Sequence, residues 1–355
     1  MEFPASSRKN PTVSRKADHI RLALSGISLS KQSNLLECVQ IVNNSVPDMS
    51  FSEISTSASL LGKAISAPIL VSPMSGGSAV GEKLNKAVAE ACEKFQLPFG
   101  VGSQRVSFEM PRTAGSFQVR KHARNVPIFA NLGLAQFTNG QLPPKAAKKA
   151  VESIEADGLF IHLNPAQELV QREGDLTFSK SLEKLEEISD EAGVPVFAKE
   201  VGFGISGKVA RKLVDAGISG IDVAGAGGTD FVKIELSRGG KGLGRALSDW
   251  GIPAAASVIE CAGLGVPIIS SGGLLTGVDV AKSVSLGAWG GGFARPVLHA
   301  FSSGGRKGIE SFLSGKIDEL KAAMFLSGSR NLSDLEKAEK RIFGRLAEWE
   351  TQIRK

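Results

Sequence analysis

The chain has 355 residues, with 42 Lys and Arg against 36 Asp and Glu, for a net charge of +6. That mild surplus, with bases interleaved among acids, suits an anionic small ligand and argues against nucleic acid as a partner. Cys38, Cys92 and Cys261 form no CxxC pair, which argues against a disulfide framework or a cysteine zinc site and fits a reducing compartment.

In chain order, residues 1–14 are polar, contain Pro4 and Pro11, and are expected to lack fixed structure when free. Their basic residues precede no apolar run, so they do not read as a signal peptide. Residues 15–355 read as one domain. No stretch approaches the ~20 apolar residues of a membrane span, so a soluble, cytoplasmic protein without membrane contact is expected. Beyond Pro68, short apolar runs alternate with amphipathic helical patterns. The runs cover 68–73, 97–102, 127–131, 159–163, 195–199, 220–223, 267–270 and 288–293. The clearest helical patterns cover 81–95, 144–155, 182–191, 208–216 and 278–286. Strands that alternate with helices in this way predict a closed parallel (β/α)₈ barrel, with chemistry at the C-terminal ends of the strands. The densest glycine clusters follow the sixth to eighth runs, where such barrels place a phosphate site. Residues 309–355 read as charged helices packed outside the barrel, the last of them over 335–353. The segment 237–246 holds Arg238, Lys241 and Arg245 among four glycines; a loop closing over an anion and a plain mobile connector fit it equally.

Polar residues at the predicted strand ends carry the chemistry. Pro73-Met74-Ser75-Gly76-Gly77 lets backbone approach a planar ligand. Ser103 and Arg105 follow the second strand and Asn131 ends the third. The fourth continues into His162-Leu163-Asn164, then Gln167-Glu168 and Glu173-Gly174-Asp175, a group of polar side chains with no use in an apolar core. Glu168 suits either a magnesium ion or a helix cap. The fifth strand ends on Lys199, where an ammonium needs an electron-rich partner unless it snorkels to solvent. GIDVAGAGGTDF, IISSGGLLTG and GGGFARPVL end the last three strands. With Thr229, Gly272, Gly273, Leu274, Ala294 and Arg295 they supply N–H groups, a hydroxyl and a cation for a phosphate. Arg15, Lys16 and His19 form a cluster that either meets an anion or is simply solvated.

The stretch HLNPAQELVQREGD resembles the signature of type 2 isopentenyl diphosphate isomerases, flavin-dependent enzymes of isoprenoid synthesis, and the resemblance runs through residues 15–300. It implies a shift of a double bond between isopentenyl and dimethylallyl diphosphate, using reduced FMN, Mg²⁺ and NADPH as a reductant. It assigns Pro73, Met74, Ser75, Ser103, Asn131, Lys199, Thr229, Gly272, Gly273, Leu274, Ala294 and Arg295 to FMN. It assigns Arg15, Lys16, His19, Arg105, His162, Asn164 and Gln167 to the substrate, Glu168 to the metal, and Gln167, Lys199 and His162 to catalysis. Related barrels imply a homo-oligomer, a tetramer or octamer. Two departures stand out: Leu275 replaces an arginine common in the family, and Asp230 replaces a serine, which together predict weakened phosphate binding. The rivals are an FMN-dependent dehydrogenase or oxidase on the same barrel, and a non-catalytic flavin-binding protein. Neither the His–Arg pair of the hydroxy-acid oxidases nor the loop cysteine of the nucleotide dehydrogenases is found after the sixth strand.

Overall fold

A computed structural model describes residues 11–247 and 250–353. Helix α1 (Pro11–Leu24) comes first. The stretch expected to be unstructured is thus shorter than 1–14, because residues 11–14 form the first turn of α1; residues 1–10 lie outside the described residues.

Strand β1 (Val39–Ile41) and the hairpin β2 (Ala58–Leu60) and β3 (Lys63–Ile65) precede the barrel. The barrel strands are β4 (Ile69–Val71), β5 (Phe99–Gly100), β6 (Ile128–Gly133), β7 (Gly158–Leu163), β8 (Val196–Glu200), β9 (Gly220–Asp222), β10 (Ile268–Ser270) and β11 (Gly290–Phe293). They close in sequence order, with β11 pairing back onto β4 and every pair parallel. All eight expected strands are present. Between them lie α2 (Ala79–Phe95), α3 (Arg105–Glu109), α4 (Leu134–Thr138), α5 (Ala146–Ile154), α6 (Pro165–Val170), α7 (Ser181–Ala192), α8 (Gly207–Asp215), α9 (Phe231–Ser237), α10 (Ala254–Cys261) and α11 (Gly277–Ser285). Local chemistry sets several of their starts. Ser78 caps α2 by accepting the Gly81 N–H, and Thr276 with Asp279 forms a reciprocal capping box on α11.

The barrel interior is a packed core. Leu70, Phe129, Phe160, Phe197 and Ile269 fill it, with Leu60 and Ile65 of the hairpin closing it from the N-terminal side. Phe129 stacks on Phe160 at 4.3 Å between centroids, and Phe197 meets Phe129 edge-on at 5.1 Å. With this end plugged, only the C-terminal mouth is left to hold a ligand.

After the barrel come α12 (Arg295–Ser327), which leaves helical geometry at Gly305, then α13 (Leu332–Lys337), β12 (Lys340–Ile342) and α14 (Gly344–Ile353). The single helix expected over 335–353 is therefore two helices separated by a strand. Residues 340–342 pair antiparallel with β1, and this long-range ladder overrides a helical pattern that charged residues alone suggested. Among the described residues no helix is long and apolar enough to cross a membrane.

Candidate functional site

A cavity of about 420 Å³ opens at the C-terminal mouth of the barrel, a volume typical of small-molecule sites. Every residue named above as a candidate for substrate, cofactor, metal or catalysis lines it. Helix α1 lies across the mouth. Arg15, Lys16, His19, Ile20 and Ala23 reach the cavity together because their spacing puts them on one face. Three tethers hold that face: Lys16 Nζ donates to Ser103 O (2.7 Å), His19 Nε2–H donates to Glu235 Oε1 (2.8 Å), and Arg295 Nε donates to Ala23 O (2.7 Å). Arg295, expected to face a phosphate, thus also pins the end of α1.

One part of the cavity is strongly cationic. Arg15 and Lys16 meet Arg105, which follows β5, and Lys199 at the end of β8. Burial, then the neighbouring Arg15, pulls the Lys16 ammonium down to about 7. Burial, followed by the charges of Lys199, Lys16, Arg15 and Arg105, holds the His162 imidazole down at about 4, so its ring is neutral. Burial first, and the crowding of like charges after it, disfavour the charged forms of Arg15 and Lys16, a strain that an anion would relieve.

Another wall, within reach of Arg15, is built of amides and carboxylates. Glu168 Oε1 accepts from Asn164 Nδ2 (2.9 Å), and its Oε2 accepts the Asp175 N–H (2.9 Å). The carboxylate therefore ties down the loop after α6. Asn164 Oδ1 is buried beside it without a hydrogen-bond partner, an acceptor suited to a water on a hydrated cation. Among the described residues no cluster of three or more His, Cys, Asp or Glu could hold a metal. Glu168 would therefore hold magnesium only jointly with a ligand phosphate, a mode magnesium commonly uses.

Behind this wall sits Glu235 of α9, which no motif signalled. Its only trace in the sequence is a lone carboxylate in the otherwise apolar run IEL. Its Oε1 accepts from both Gln167 Nε2 (2.9 Å) and His19, and Oε2 accepts from Arg238 (2.5 Å). Burial alone would raise the Glu235 carboxyl, but the hydrogen bonds from His19 and Gln167 and the charge of Arg238 outweigh it and hold it near about 2. At His19 burial outweighs the hydrogen bond to Glu235 and lowers the imidazole. Because the Glu235 carboxyl is depressed in the fold, its stabilisation is complete above about pH 4.5 and is lost as pH falls toward 2. Glu235→Gln is expected to cost roughly 3 kcal/mol at neutral pH. Denaturant titrations should show that gap closing between about pH 4.5 and 2; a gap independent of pH would contradict the assignment.

Lys199 points into the cavity as expected, but its partner within the chain is Asp222 at the end of β9, 2.8 Å away and fully buried. Asp222 Oδ1 accepts from Ser271 Oγ (2.5 Å) and from the Ala224 N–H (3.2 Å). Sequence reasoning missed it, although an aspartate inside the apolar run GIDVAG was the available signal.

The glycine segments form the remaining wall. Gly272 and Gly273 have φ of +104° and +89°, and a Cβ on either would lie 2.0 Å from Gly225 O or 2.3 Å from Gly227 O, so only glycine closes the cradle. The hydroxyls of Ser72 and Ser75 are buried in this region without partners, which fits a polar, planar cofactor that supplies the missing hydrogen bonds. Asp230 does not act as a stray anion: its Oδ1 accepts the N–H groups of Val232 (2.9 Å) and Lys233 (3.1 Å) and caps α9. Leu275 lies exposed on the rim. In the 237–246 segment, residues 238–241 are tied to neighbouring elements, while Leu243, Arg245 and Ala246 are exposed. Gly240 N–H donates to Glu235 O, Lys241 N–H donates to Val170 O (both 2.8 Å), and Arg238 pairs with Glu235, Glu173 and Asp18.

Comparison with known proteins places this geometry in a family. The model of FMN-dependent dehydrogenases matches residues 21–110 and 115–341. An isopentenyl-diphosphate delta-isomerase of Metallosphaera sedula is 42% identical over 95% of this chain and 94% of its own. Those of Chlorobium luteolum and Pyrococcus furiosus are 41% and 40% identical, over 92% and 95% of this chain and 95% and 89% of theirs. Among solved structures a mandelate oxidase is similar, with a TM-score of 0.66 at 18% identity over 92% of this chain and 99% of that one. At that identity the likeness shows the barrel alone.

Proposed function

Because this chain belongs to the FMN-dependent isopentenyl-diphosphate delta-isomerase family, and so is an isomerase, we propose that it interconverts isopentenyl and dimethylallyl diphosphate with reduced FMN and Mg²⁺. The observation that carries the reading is one cavity lined both by the cations Arg15, Lys16 and Arg105 and by Asn164, Gln167 and Glu168. Bare flavin binding would require neither.

In this reading Arg15, Lys16 and Arg105 take the diphosphate, with arginine forks suited to its oxygens. Glu168 holds Mg²⁺ against it. Met74, Ser75, Ser103, Asn131 and Lys199 hold the ring of FMN, while Thr229, Gly272, Gly273, Ala294 and Arg295 hold its phosphate. Reduced FMN, with NADPH or another donor as reductant, would supply the groups that add one proton to the five-carbon chain and remove another. The chain's own residues orient and enclose. Glu235 fixes the Gln167 amide, Asp222 fixes Lys199, and α1 covers the mouth so that bulk water is kept from the alkene. Gln167 and neutral His162 carry no charge that would trap a cation-like carbon skeleton elsewhere. Self-association into a tetramer or octamer belongs to the same proposal.

The test is anaerobic. The bound FMN is reduced, excess reductant is removed, and isopentenyl diphosphate is added in deuterated water. Many turnovers per flavin, deuterium in the dimethylallyl product and flavin still reduced at the end are expected. One flavin oxidised for each product formed would place the chain with the dehydrogenase rival.

A further inference from the structure

The carboxyl end of α1 is stitched to the loops that frame the glycine cradle. Arg295, at the start of α12 directly after β11, donates from Nε to Ala23 O in the last turn of α1 (2.7 Å). Residues 28–30, just beyond that turn, lie antiparallel to the loop after β9. Leu29 bridges Thr229, Ser30 N–H donates to Gly228 O (2.8 Å), and Asp230 N–H donates to Ser28 O (2.7 Å). Upstream on the same helix are Arg15 and Lys16, which line the cavity. A guanidinium carries donors on more than one edge. Arg295 turns Nε toward α1, and its two Nη groups have no partner among the described residues; burial alone acts on its charge, with no carboxylate beside it. Among the described residues that line the cavity after β9, β10 and β11, it is the only cation. The loops after the seventh and eighth strands are where such barrels hold a phosphate, and the open edge of the fork suits its oxygens.

We propose that Arg295 is a positioning residue for the substrate-binding cations: its open edge takes the cofactor phosphate while Nε–H keeps hold of Ala23 O, so that cofactor loading fixes α1, and with it Arg15 and Lys16, over the mouth. This rests on the FMN reading of the cavity and adds to it a coupling between cofactor and substrate. An arginine chain with one edge unheld samples several rotamers, and its bond to Ala23 O is made against that freedom. A phosphate on the other edge already fixes the chain, so the bond to α1 then forms without a second loss. Lysine could not serve both partners, because one ammonium on a flexible stem has no planar fork.

A helix of 14 residues is marginal on its own, so protection of its amides reports its docking. Hydrogen–deuterium exchange of peptides within residues 15–24 is therefore followed on the full-length protein with and without saturating FMN. Loading is expected to slow exchange in α1 by about tenfold. Arg295→Lys keeps a cation and should bind FMN within a few-fold of the parent, yet lose most of that slowing. Loaded with FMN, it should bind inorganic diphosphate, the probe for the cations of α1, about tenfold more weakly than the loaded parent. Arg295→Met should lose the slowing as well and also bind FMN more weakly. A mere cap on α1 would instead let both variants exchange faster by the same factor with and without FMN. That result, unchanged α1 exchange when the parent is loaded, or equal diphosphate affinity in the parent and Arg295→Lys overturns the proposal and spares the FMN reading. Failure of the parent to take up FMN overturns both.

Discussion

Replacement of Glu168 by Gln is expected to lower turnover of isopentenyl diphosphate by about 100-fold or more, near 3 kcal/mol in the barrier, with FMN content unchanged. The amide keeps one oxygen to accept the Asp175 N–H, so the loop after α6 retains its tie and folding should be little affected. What it loses is the charge a hard cation requires. The dependence of rate on magnesium should weaken in parallel. Steady-state kinetics over a magnesium series, beside the flavin absorbance of the purified variant, checks both. Full activity with an unchanged magnesium response would leave Glu168 with only its role in tying the loop.

Lys199→Met is expected to reduce kcat by about 100- to 1,000-fold while KM for isopentenyl diphosphate moves only a few-fold, the pattern of a group whose charge matters to the reaction more than to binding. A second consequence follows from the ion pair. The substitution strands the fully buried Asp222 carboxylate without its counter-ion, at a cost of about 3–5 kcal/mol in stability. Combining it with Asp222→Asn should recover much of that stability and none of the activity. Chemical denaturation and kinetics on the same three proteins separate the two effects. A double variant that regained turnover would show that the single one had failed through misfolding, and Lys199 would lose its place in the chemistry.

Strand and helix identity, and with them the barrel, were legible in the chain because each rests on local signals. The buried parallel strands are short apolar runs such as 159–163, and the helices between them repeat with the 3.6-residue period. Polar residues that end such runs, among them His162, Asn164 and Lys199, could be placed at one mouth by topology alone, since parallel strands all end on the same side. The glycine clusters were readable for a similar reason: a close backbone approach such as that of Gly272 to Gly225 admits no other residue.

Tertiary structure decided which groups meet. Register across the barrel sets His162 beside Lys199 and Lys199 beside Asp222, although 37 and 23 positions separate them along the chain. Glu235 joins His19 and Gln167 from three separate elements. Residues 340–342, helical by composition, became a strand because β1 presented an edge some 300 positions earlier. Local periodicity carries the state of a segment and says nothing of its partner. Hydrogen bonds, ion pairs and ladders are pairwise terms between distant positions, and they take definite values only once closure of the barrel has brought those positions together.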